Sequence, residues 1–489
     1  MIKTFKSDYP IVIFFTLLAL IVFRTPLWIS EVPVLQLELK WLVIGEKLSE
    51  GGFLYKDLLT TLEPLSAGVY WLLNLISGRT VLSLRIIATI LVLVQALLIS
   101  IIIRKRKSFE KVGYLPSLIY VLLTSVSWEF NTLSPQLMGS TFLIISLNFI
   151  FNMPSEKNAD YQIFYSGLCV GVATLFYFPY ITFLALVWFS MALYRSDNLR
   201  ELLLVVVGFI CPVACISLYY FFNGCFLDFI SFFSPADVPQ NYSFKPSYQL
   251  IIFILGIPLL FFLILFNYLR RNFYNSTMHV KNCRQIFLFW IFVSLISLLW
   301  IRKIYLIDFF ILFVPFSVLI AFGLSIFRNY WKAEGLFVIL FLSIIAINVL
   351  MLHSSFVKSY AKSNDYIISY SPLPETMYGK KIMVLSDNVL FYLHNRLATP
   401  YFDWSLINRD FSKLNNYQTI YVIYQRIMSD MPELVVDENN LFESFLVKAP
   451  LIDGYFVKIP GTVIYRRINF LHNQKKQKRK FQHKDTKKH

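Results

Sequence analysis

Residues 38–78 read ELKWLVIGEKLSEGGFLYKDLLTTLEPLSAGVYWLLNLISG, and this stretch decides the fold more than any other part of the chain. It is amphipathic, carries several acids, and directly follows the first of many hydrophobic segments. Its most apolar part, residues 69–76, is too short to cross a bilayer, which takes about 20 apolar residues. The stretch therefore predicts a working face just outside a membrane, with a helix lying in the interface.

Composition places the chain among integral membrane proteins. Of its 489 residues, 57% are hydrophobic and only 15% are charged, and the mean hydropathy of +0.60 is far above that of a soluble domain. The net charge of +16 resides mainly in loops between hydrophobic runs and in the last segment. Membrane lipids account for that charge, so lipids are predicted partners and nucleic acid is not. The five cysteines lack the spacing of a disulfide framework or a zinc site.

About eleven hydrophobic segments are long enough to be transmembrane helices. Short loops rich in Lys and Arg alternate with loops that hold few, as the positive-inside rule expects when the amino end lies inside. This alternation places the loop 24–81 and everything from residue 354 onward outside. The predicted spans are residues 9–29, 82–103, 112–128, 135–152, 162–177, 178–194, 201–222, 249–268, 285–301, 305–327 and 333–353.

After a transmembrane domain over residues 1–353, the composition changes to that of a soluble chain. Alternating strand and helix patterns predict a small α/β domain over 354–470 on the outer side, and the basic tail 471–489 is predicted to be disordered. The predicted strands are residues 381–385, 434–437, 455–459 and 462–466, and the predicted helices are residues 388–396, 417–428 and 441–447. Asp387, Asp403, Asp437 and Glu438 lie at strand ends, where a capping role is favoured over a functional one.

Two motifs stand out in the sequence. The first comprises Leu37-Glu38, Gly51, Tyr55, Asp57, Glu63-Pro64 and Gly78, and the second is RKIY at residues 302–305 ahead of Pro315. The first motif resembles the GT-C superfamily of glycosyltransferases that use lipid carriers, whose members show an acidic pair, a later glycine, an aromatic residue, an Asp, and a Pro-containing turn before an apolar helix. The second motif is similar to the basic entry to a late helix in these proteins. The resemblance covers the transmembrane part and implies a polytopic α-helical fold with a small outer α/β domain.

The resemblance implies transfer of a sugar from a polyprenyl-phosphate carrier to an envelope acceptor on the outer face of the membrane. Such chemistry needs a carboxylate near the acceptor hydroxyl and positive groups near the departing phosphate. The carboxylate candidates are Glu38, Glu31 and Glu129; the lipid-phosphate candidates are Arg302, Lys303 and Tyr305; secondary candidates are Asp57 and Asp308, the latter with Arg302 or Lys303 as its partner. A divalent cation is left open and is not required.

The chain departs from the family pattern at Leu37, which replaces the leading Asp and can neither take a proton nor bind a metal. A second interpretation is therefore a GT-C-derived protein without catalysis that acts as a partner or lipid binder in envelope assembly. Glu38, Lys40 and Glu46 also fit the solvated face of an interfacial helix, and Glu129 fits an ordinary interfacial charge. Residues 302 and 303 equally fit cations that reach lipid headgroups.

A transporter is the third interpretation, disfavoured because no inverted repeat and no matching Gly or Pro breaks are evident in two halves of the chain. The amino-acid sequence, rich in Phe, Ile, Tyr, Asn and Lys, resembles those of envelope proteins of Bacteroidota. The predicted location is the bacterial inner membrane, crossed many times, with the amino end cytoplasmic and the carboxyl-terminal domain periplasmic.

Overall fold

The computed structural model describes residues 11–29, 34–105, 112–155, 159–195, 199–233, 243–244, 248–271, 277–301, 303–327, 329–353, 367–368, 373–398 and 400–468. Two of the candidate residues, Glu31 and Arg302, lie outside these ranges, and so does the basic tail 471–489.

Helices make up most of the described chain, and several are apolar around most of their circumference, as expected of helices in lipid or in a protein core. Short 3₁₀ helices at Trp128–Asn131, Phe178–Phe183 and Leu306–Leu312 lead towards the α-helices that begin at Pro135, Leu184 and Phe313. The α-helices are α1 (Ile11–Ile29), α2 (Gln36–Ser49), α3 (Pro64–Ser77), α4 (Val81–Lys105), α5 (Leu115–Thr124), α6 (Pro135–Asn152), α7 (Asp160–Phe176), α8 (Leu184–Tyr194), α9 (Leu199–Phe222), α10 (Phe226–Phe233), α11 (Tyr248–Arg271), α12 (Met278–Ser297), α13 (Phe313–Ile326), α14 (Tyr330–His353), α15 (Trp404–Ser412), α16 (Tyr417–Ser429), α17 (Leu441–Lys448) and α18 (Pro450–Asp453).

Within the described ranges, six helical segments are long and apolar enough to cross a bilayer: Val81–Arg104, Leu199–Phe222, Tyr248–Asn267, Met278–Trp300, Leu306–Ile326 and Tyr330–Met351. The protein is therefore a polytopic α-helical membrane protein, while the predicted count of eleven spans stays a prediction. Burial separates the six. In the most apolar window of Leu306–Ile326, 83% of the residues are buried, so this segment lies inside the bundle, whereas in that of Leu199–Phe222 only 11% are buried.

Helices α7 and α9 approach each other through glycines. A Cβ atom on Gly167 would lie 2.2 Å from the carbonyl oxygen of Val205, and one on Gly208 would lie 2.2 Å from that of Phe164. A Cβ atom on Gly171, four residues after Gly167, would lie 2.5 Å from the carbonyl oxygen of Phe209 on α9. Small residues at this spacing let membrane helices pack backbone against backbone.

A mixed five-stranded sheet lies near the carboxyl end. Its strands are β5 (Lys381–Val384), β6 (Arg396–Leu397), β7 (Leu434–Val436), β8 (Phe456–Lys458) and β9 (Ile464–Arg467). Their spatial order is β6-β5-β7-β9-β8. The strand β5 pairs in parallel with β6 and β7, whereas β9 is antiparallel to β7 and β8. All lie at predicted strands except β6, and the domain boundary at residue 354 stays a prediction.

The predicted helix 388–396 is wrong over most of its length. Only a 3₁₀ turn forms at Val389–Tyr392, and the chain then extends into β6. The reason is local pairing with the residue before β5: Asn395 Oδ1 accepts the N–H of Lys380 at 3.1 Å, and the N–H of Arg396 donates to the Lys380 carbonyl at 3.0 Å. Helix α15, by contrast, was not predicted.

Two short strand pairs gather distant segments at one end of the bundle. Strand β1 (Val34–Leu35) runs antiparallel to β4 (Ile367–Ile368), and β2 (Ser243–Phe244) runs parallel to β3 (Lys303–Ile304). The loop predicted at 24–81 and the chain beyond 354 therefore contact each other, beside the entry to the enclosed segment that begins at Leu306.

Candidate functional site

Several of the described candidate residues lie near α2, which contacts the five-stranded sheet through one face. Lys40 and Lys47 are seven residues apart, which puts them on the same face about 10 Å apart along the helix. Lys40 Nζ lies 3.5 Å from Asp403 Oδ1, and Lys47 Nζ lies 2.5 Å from Asp430 Oδ2. Glu38 lies on the other face, because residues two positions apart in a helix do not face the same way.

Four charged side chains, Lys40, Lys303, Asp387 and Asp403, form what we call the junction cluster. Lys303 Nζ donates to Asp387 Oδ2 at 2.6 Å, and Lys40 Nζ lies 4.0 Å from Asp387 Oδ1. The Lys303 and Asp387 side chains are 36% and 27% exposed, whereas those of Lys40 and Asp403 are 19% and 11% exposed. A ligand can therefore reach the Lys303–Asp387 half of the cluster most easily.

Asp403 has a positioning role. Its Oδ2 accepts hydrogen bonds from the Thr60 hydroxyl at 3.0 Å and from the N–H and hydroxyl of Thr61 at 2.5 and 2.9 Å. The N–H of Leu59 donates to the Pro400 carbonyl at 2.7 Å, next to this anchor. Bonds to an ionised carboxylate are among the stronger hydrogen bonds in proteins, so Asp403 ties the loop before α3 to the sheet.

The entry to the enclosed segment is shaped by Asp308, which is buried. Its Oδ2 accepts the N–H of Tyr305 at 2.7 Å, and its Oδ1 accepts the Gln136 amide and the Tyr177 hydroxyl, each at 2.6 Å. Of the two partners predicted for Asp308, Arg302 lies outside the described residues. The pairing with Lys303 is wrong, because Lys303 donates to Asp387 and neutral donors satisfy Asp308 instead. Asp308 thus caps the 3₁₀ helix Leu306–Leu312 and fixes the turn that presents Lys303 and Tyr305.

Lys40 keeps its charge and the neighbouring Tyr305 keeps its proton at neutral pH. Burial alone would lower the pKa of Lys40, but Asp403, with Tyr305 and Asp387, raises it above the ordinary value for lysine. Burial raises the pKa of Tyr305 to about 12, although the charge of Lys40 acts the other way. At neutral pH the ammonium group is therefore charged, and the phenol is a neutral hydrogen-bond donor.

Glu38 is 1% exposed and faces α4. Its Oε2 accepts the N–H of Leu35 at 2.9 Å, which caps the start of α2, and lies 3.5 Å from Arg85 Nη2. The alternative of a solvated face is wrong, because Lys40 and Glu46 also turn inward, Glu46 pairing with Arg79 at 3.1 Å. Leu37, at the position of the family's Asp, packs against the hydrophobic core.

Glu129 lies in the buried 3₁₀ turn between α5 and α6 and is 1% exposed, so it is not an exposed interfacial charge. Both polar atoms of the Asn131 side chain and the Thr132 hydroxyl are buried nearby and, among the described residues, have no hydrogen-bond partner. The turn is thus polar as well as enclosed.

The positions of the sequence motif between α2 and α3 build a compact turn. Asp57 Oδ2 accepts the N–H of Phe53 at 2.9 Å, and the buried Tyr55 hydroxyl donates to the Leu62 carbonyl at 2.9 Å. Tyr55 has a φ of 68°, a conformation rare for a bulky side chain and common at functional loops. Its ring packs against Tyr220 at the end of α9.

Glu63 was not predicted as a candidate, yet it is buried at the start of α3. Its Oε1 accepts the N–H of Phe178 at 2.9 Å. Burial raises the pKa of Glu63 to about 8, although the Phe178 N–H acts the other way. The carboxyl is therefore largely protonated at neutral pH. An acid directly before a proline at a helix start was the available signal.

Asp387 and Asp403 were predicted as caps, and only their long-range partners place them in the cluster. Asp437 does cap a helix, since its carboxylate accepts the N–H groups of Leu441 and Phe442 at 2.9 Å. Within the part of the chain that the structure describes, no three His, Cys, Asp or Glu side chains converge as metal ligands would.

The fold is similar to that of a solved protein, ArnT. ArnT from Cupriavidus metallidurans, crystallised with undecaprenyl phosphate, superposes with a TM-score of 0.52 at 13% identity over 94% of this chain and 99% of its own. The archaeal oligosaccharyltransferase AglB from Archaeoglobus fulgidus, in complex with an inhibitory peptide and a dolichol-phosphate, gives a TM-score of 0.45 at 12% identity over 94% of this chain and 74% of its own.

No protein-family model and no curated protein sequence matches the chain. The likeness to ArnT shows that the chain has a GT-C-like fold, which confirms the resemblance found in the sequence. The eleven spans and the separate α/β domain stay predictions.

Proposed function

We propose that the protein is a GT-C-like integral membrane glycosyltransferase, which moves a sugar from a polyprenyl-phosphate carrier to an envelope acceptor on the outer face of the membrane. The observation that carries the proposal is the accessible Lys303–Asp387 pair, bonded at 2.6 Å beside the entry to the enclosed segment. ArnT, which has the same fold, is bound to undecaprenyl phosphate in its crystal structure, and this supports a carrier of that class.

Lys303 is the proposed ligand of the carrier's phosphate. It stands three residues before the apolar segment that begins at Leu306, which is where a lipid phosphate meets the edge of the hydrocarbon layer. Lys40 adds a second positive charge, and the neutral Tyr305 hydroxyl is a further donor. Arg302, at the adjoining position in the sequence, joins this set as a proposal from the motif alone.

Asp387 is the proposed general base. When the phosphate binds Lys303, the hydrogen bond from Lys303 to Asp387 breaks. The Asp387 carboxylate then accepts a hydrogen bond from the acceptor hydroxyl and takes the hydroxyl proton. The acceptor oxygen forms a bond to the anomeric carbon while the bond from that carbon to the phosphate oxygen breaks. Polyprenyl phosphate leaves with the bonding electrons, and the lysines stabilise its charge. Glu38, Glu31 and Glu129 remain the competing proposals for the carboxylate.

The location follows the same proposal. The amino end is cytoplasmic, and the sheet with the outer loop is periplasmic in a bacterial inner membrane. The short basic loops of the sequence support this orientation. The contacts of Lys40 and Lys47 with the sheet support one common side for the two outer segments.

A second candidate function is a GT-C-derived lipid binder without catalysis. The packing of Leu37 against the core and the hydrogen bond and ion pair of Glu38 with Leu35 and Arg85 favour it, since no ionisable group stands at the family's usual Asp position.

Sugar transfer by the purified full-length protein tests the proposal. The assay supplies radiolabelled polyprenyl-phosphate sugar and an isolated envelope fraction as acceptor, and it includes native mass spectrometry of bound polyprenyl phosphate. We expect Asp387→Asn to lower kcat about a hundredfold, the range of a lost general base, with lipid binding retained. Lys303→Gln should weaken lipid binding at least tenfold.

Matched controls remove similar groups elsewhere. Asp453→Asn changes an exposed acid of α18, and Lys458→Gln breaks an exposed Lys–Glu pair of 3.1 Å; both should behave as wild type. Transfer that survives Asp387→Asn but is lost in Glu38→Gln would move the base to Glu38. Lipid binding that depends on Lys303 without any transfer by the wild type would establish the second candidate instead.

A further inference from the structure

A cavity of about 480 Å³ lies between the outer loop and the sheet, at the Lys47 end of the α2 face. Its volume is in the range of small-molecule binding sites. Neither the glycosyl-transfer proposal nor the junction cluster uses it. Three cations and three carboxylates line it: Lys47, Lys381, Arg396, Glu50, Asp57 and Asp430.

The charges of this lining balance, and most are already paired. Asp430 bridges Lys47 at 2.5 Å and Lys381 at 3.0 Å, and Arg396 Nη1 lies 3.6 Å from Glu50 Oε1. A free anion would have to separate these pairs, so phosphate is a poor match for the cavity. Closely spaced donors and acceptors without net charge suit a ligand whose groups both donate and accept, and hydroxyl groups do so.

Two glycines keep the cavity open beneath the loop. Gly51 has a φ of 93°, a conformation that side chains rarely adopt, and a Cβ on Gly52 would lie 2.8 Å from the Lys47 carbonyl oxygen. Neither position readily accepts a side chain, so the backbone itself forms that wall.

We infer that this cavity binds a neutral saccharide and that, given the proposed function, it seats the acceptor. Lys47 lines the cavity and Lys40 belongs to the junction cluster, and the two lie about 10 Å apart along one helix face. A saccharide of several rings seated in the cavity can therefore extend along α2 towards Asp387. The saccharide binding stands without the proposed function; the acceptor role rests on it.

Saccharide binding is measured by saturation-transfer NMR on the full-length protein in nanodiscs, with chitotetraose as the neutral probe and a heparin tetrasaccharide as the polyanionic one. The variant Ser429→Trp fills the cavity from an exposed lining position at the end of α16 and leaves every ion pair intact. Ser412→Trp is the matched control: Ser412 also ends its helix, is exposed, and bonds the carbonyl three residues back at 2.9 Å, as Ser429 does.

We expect chitotetraose to bind wild type and Ser412→Trp alike and to bind Ser429→Trp at least tenfold more weakly. Equal binding to both variants, no binding to wild type, or binding of the heparin fragment alone would each overturn the assignment. The sugar-transfer assay tests the proposed function separately. If the wild type binds chitotetraose but transfers no sugar, and Ser429→Trp loses chitotetraose binding, then the proposed function is wrong and the saccharide site stands.

Discussion

Removal of the Asp403 carboxylate should release the loop before α3 from the sheet. The substitution Asp403→Ala takes away the acceptor of three hydrogen bonds from Thr60 and Thr61 and the nearer partner of Lys40. Breaking one side of a largely buried charge pair costs about 3–5 kcal/mol. Because Asp387 remains 4.0 Å from Lys40 and recovers part of this, we take the lower end, about 3 kcal/mol.

Hydrogen exchange of the protein in nanodiscs measures that loss. The N–H of Leu59 bonds to the Pro400 carbonyl, which the substitution does not touch, so its protection reports docking of the loop. A loss of about 3 kcal/mol predicts exchange about a hundredfold faster, since each tenfold corresponds to about 1.4 kcal/mol. Asp410→Ala, which breaks the 2.7 Å pair with Arg426, is the control and should leave Leu59 protected.

Exchange at Leu59 within threefold of wild type in Asp403→Ala would refute the reasoning. It would mean that apolar packing holds the loop and that the charges of the junction cluster contribute little to its position.

Two further predictions concern a buried acid and a helix contact. The free energy of unfolding of wild type relative to Glu63→Gln should fall by up to about 1.4 kcal/mol per pH unit between about pH 5 and 8 and level off above. The reason is that Glu63 keeps its proton in the folded state, whereas the unfolded carboxyl, with its ordinary pKa of 4.5, has released it. Thermal melts in which this difference does not change with pH would contradict the prediction. Gly167→Val should destabilise the protein by about 1–3 kcal/mol through overlap with Val205, whereas Gly256→Val, in open space on α11, should melt near wild type; equal melting temperatures would exclude the close contact.

The elements that follow local pattern were predictable from sequence. Hydrophobic runs identify the long helices such as Val81–Arg104, and the short apolar runs at residues 381–384 and 434–436 identify sheet strands. The spacing from Glu38 to Gly78 predicted the GT-C-like fold through its resemblance to the motif of that superfamily.

The candidate site was less predictable, because long-range partners decide it. Lys40 reads locally as a solvated lysine, and its partner Asp403 lies 363 residues away in the chain. Lys303 was predicted to bind phosphate, but its partner Asp387 was predicted to be a cap. Charge and helical period alone cannot tell a face turned to water from one turned to a sheet.

The position of a bound lipid phosphate tests the central claim most directly. A cryo-electron microscopy structure of the protein in nanodiscs with saturating polyprenyl phosphate should show phosphate density about 2.7–2.9 Å from Lys303 Nζ, the distance of a charge-assisted hydrogen bond. Asp387 should then have moved off that lysine. Phosphate density on the Arg85 side of α2, or an unchanged Lys303–Asp387 bond with no lipid density near it, would contradict the account.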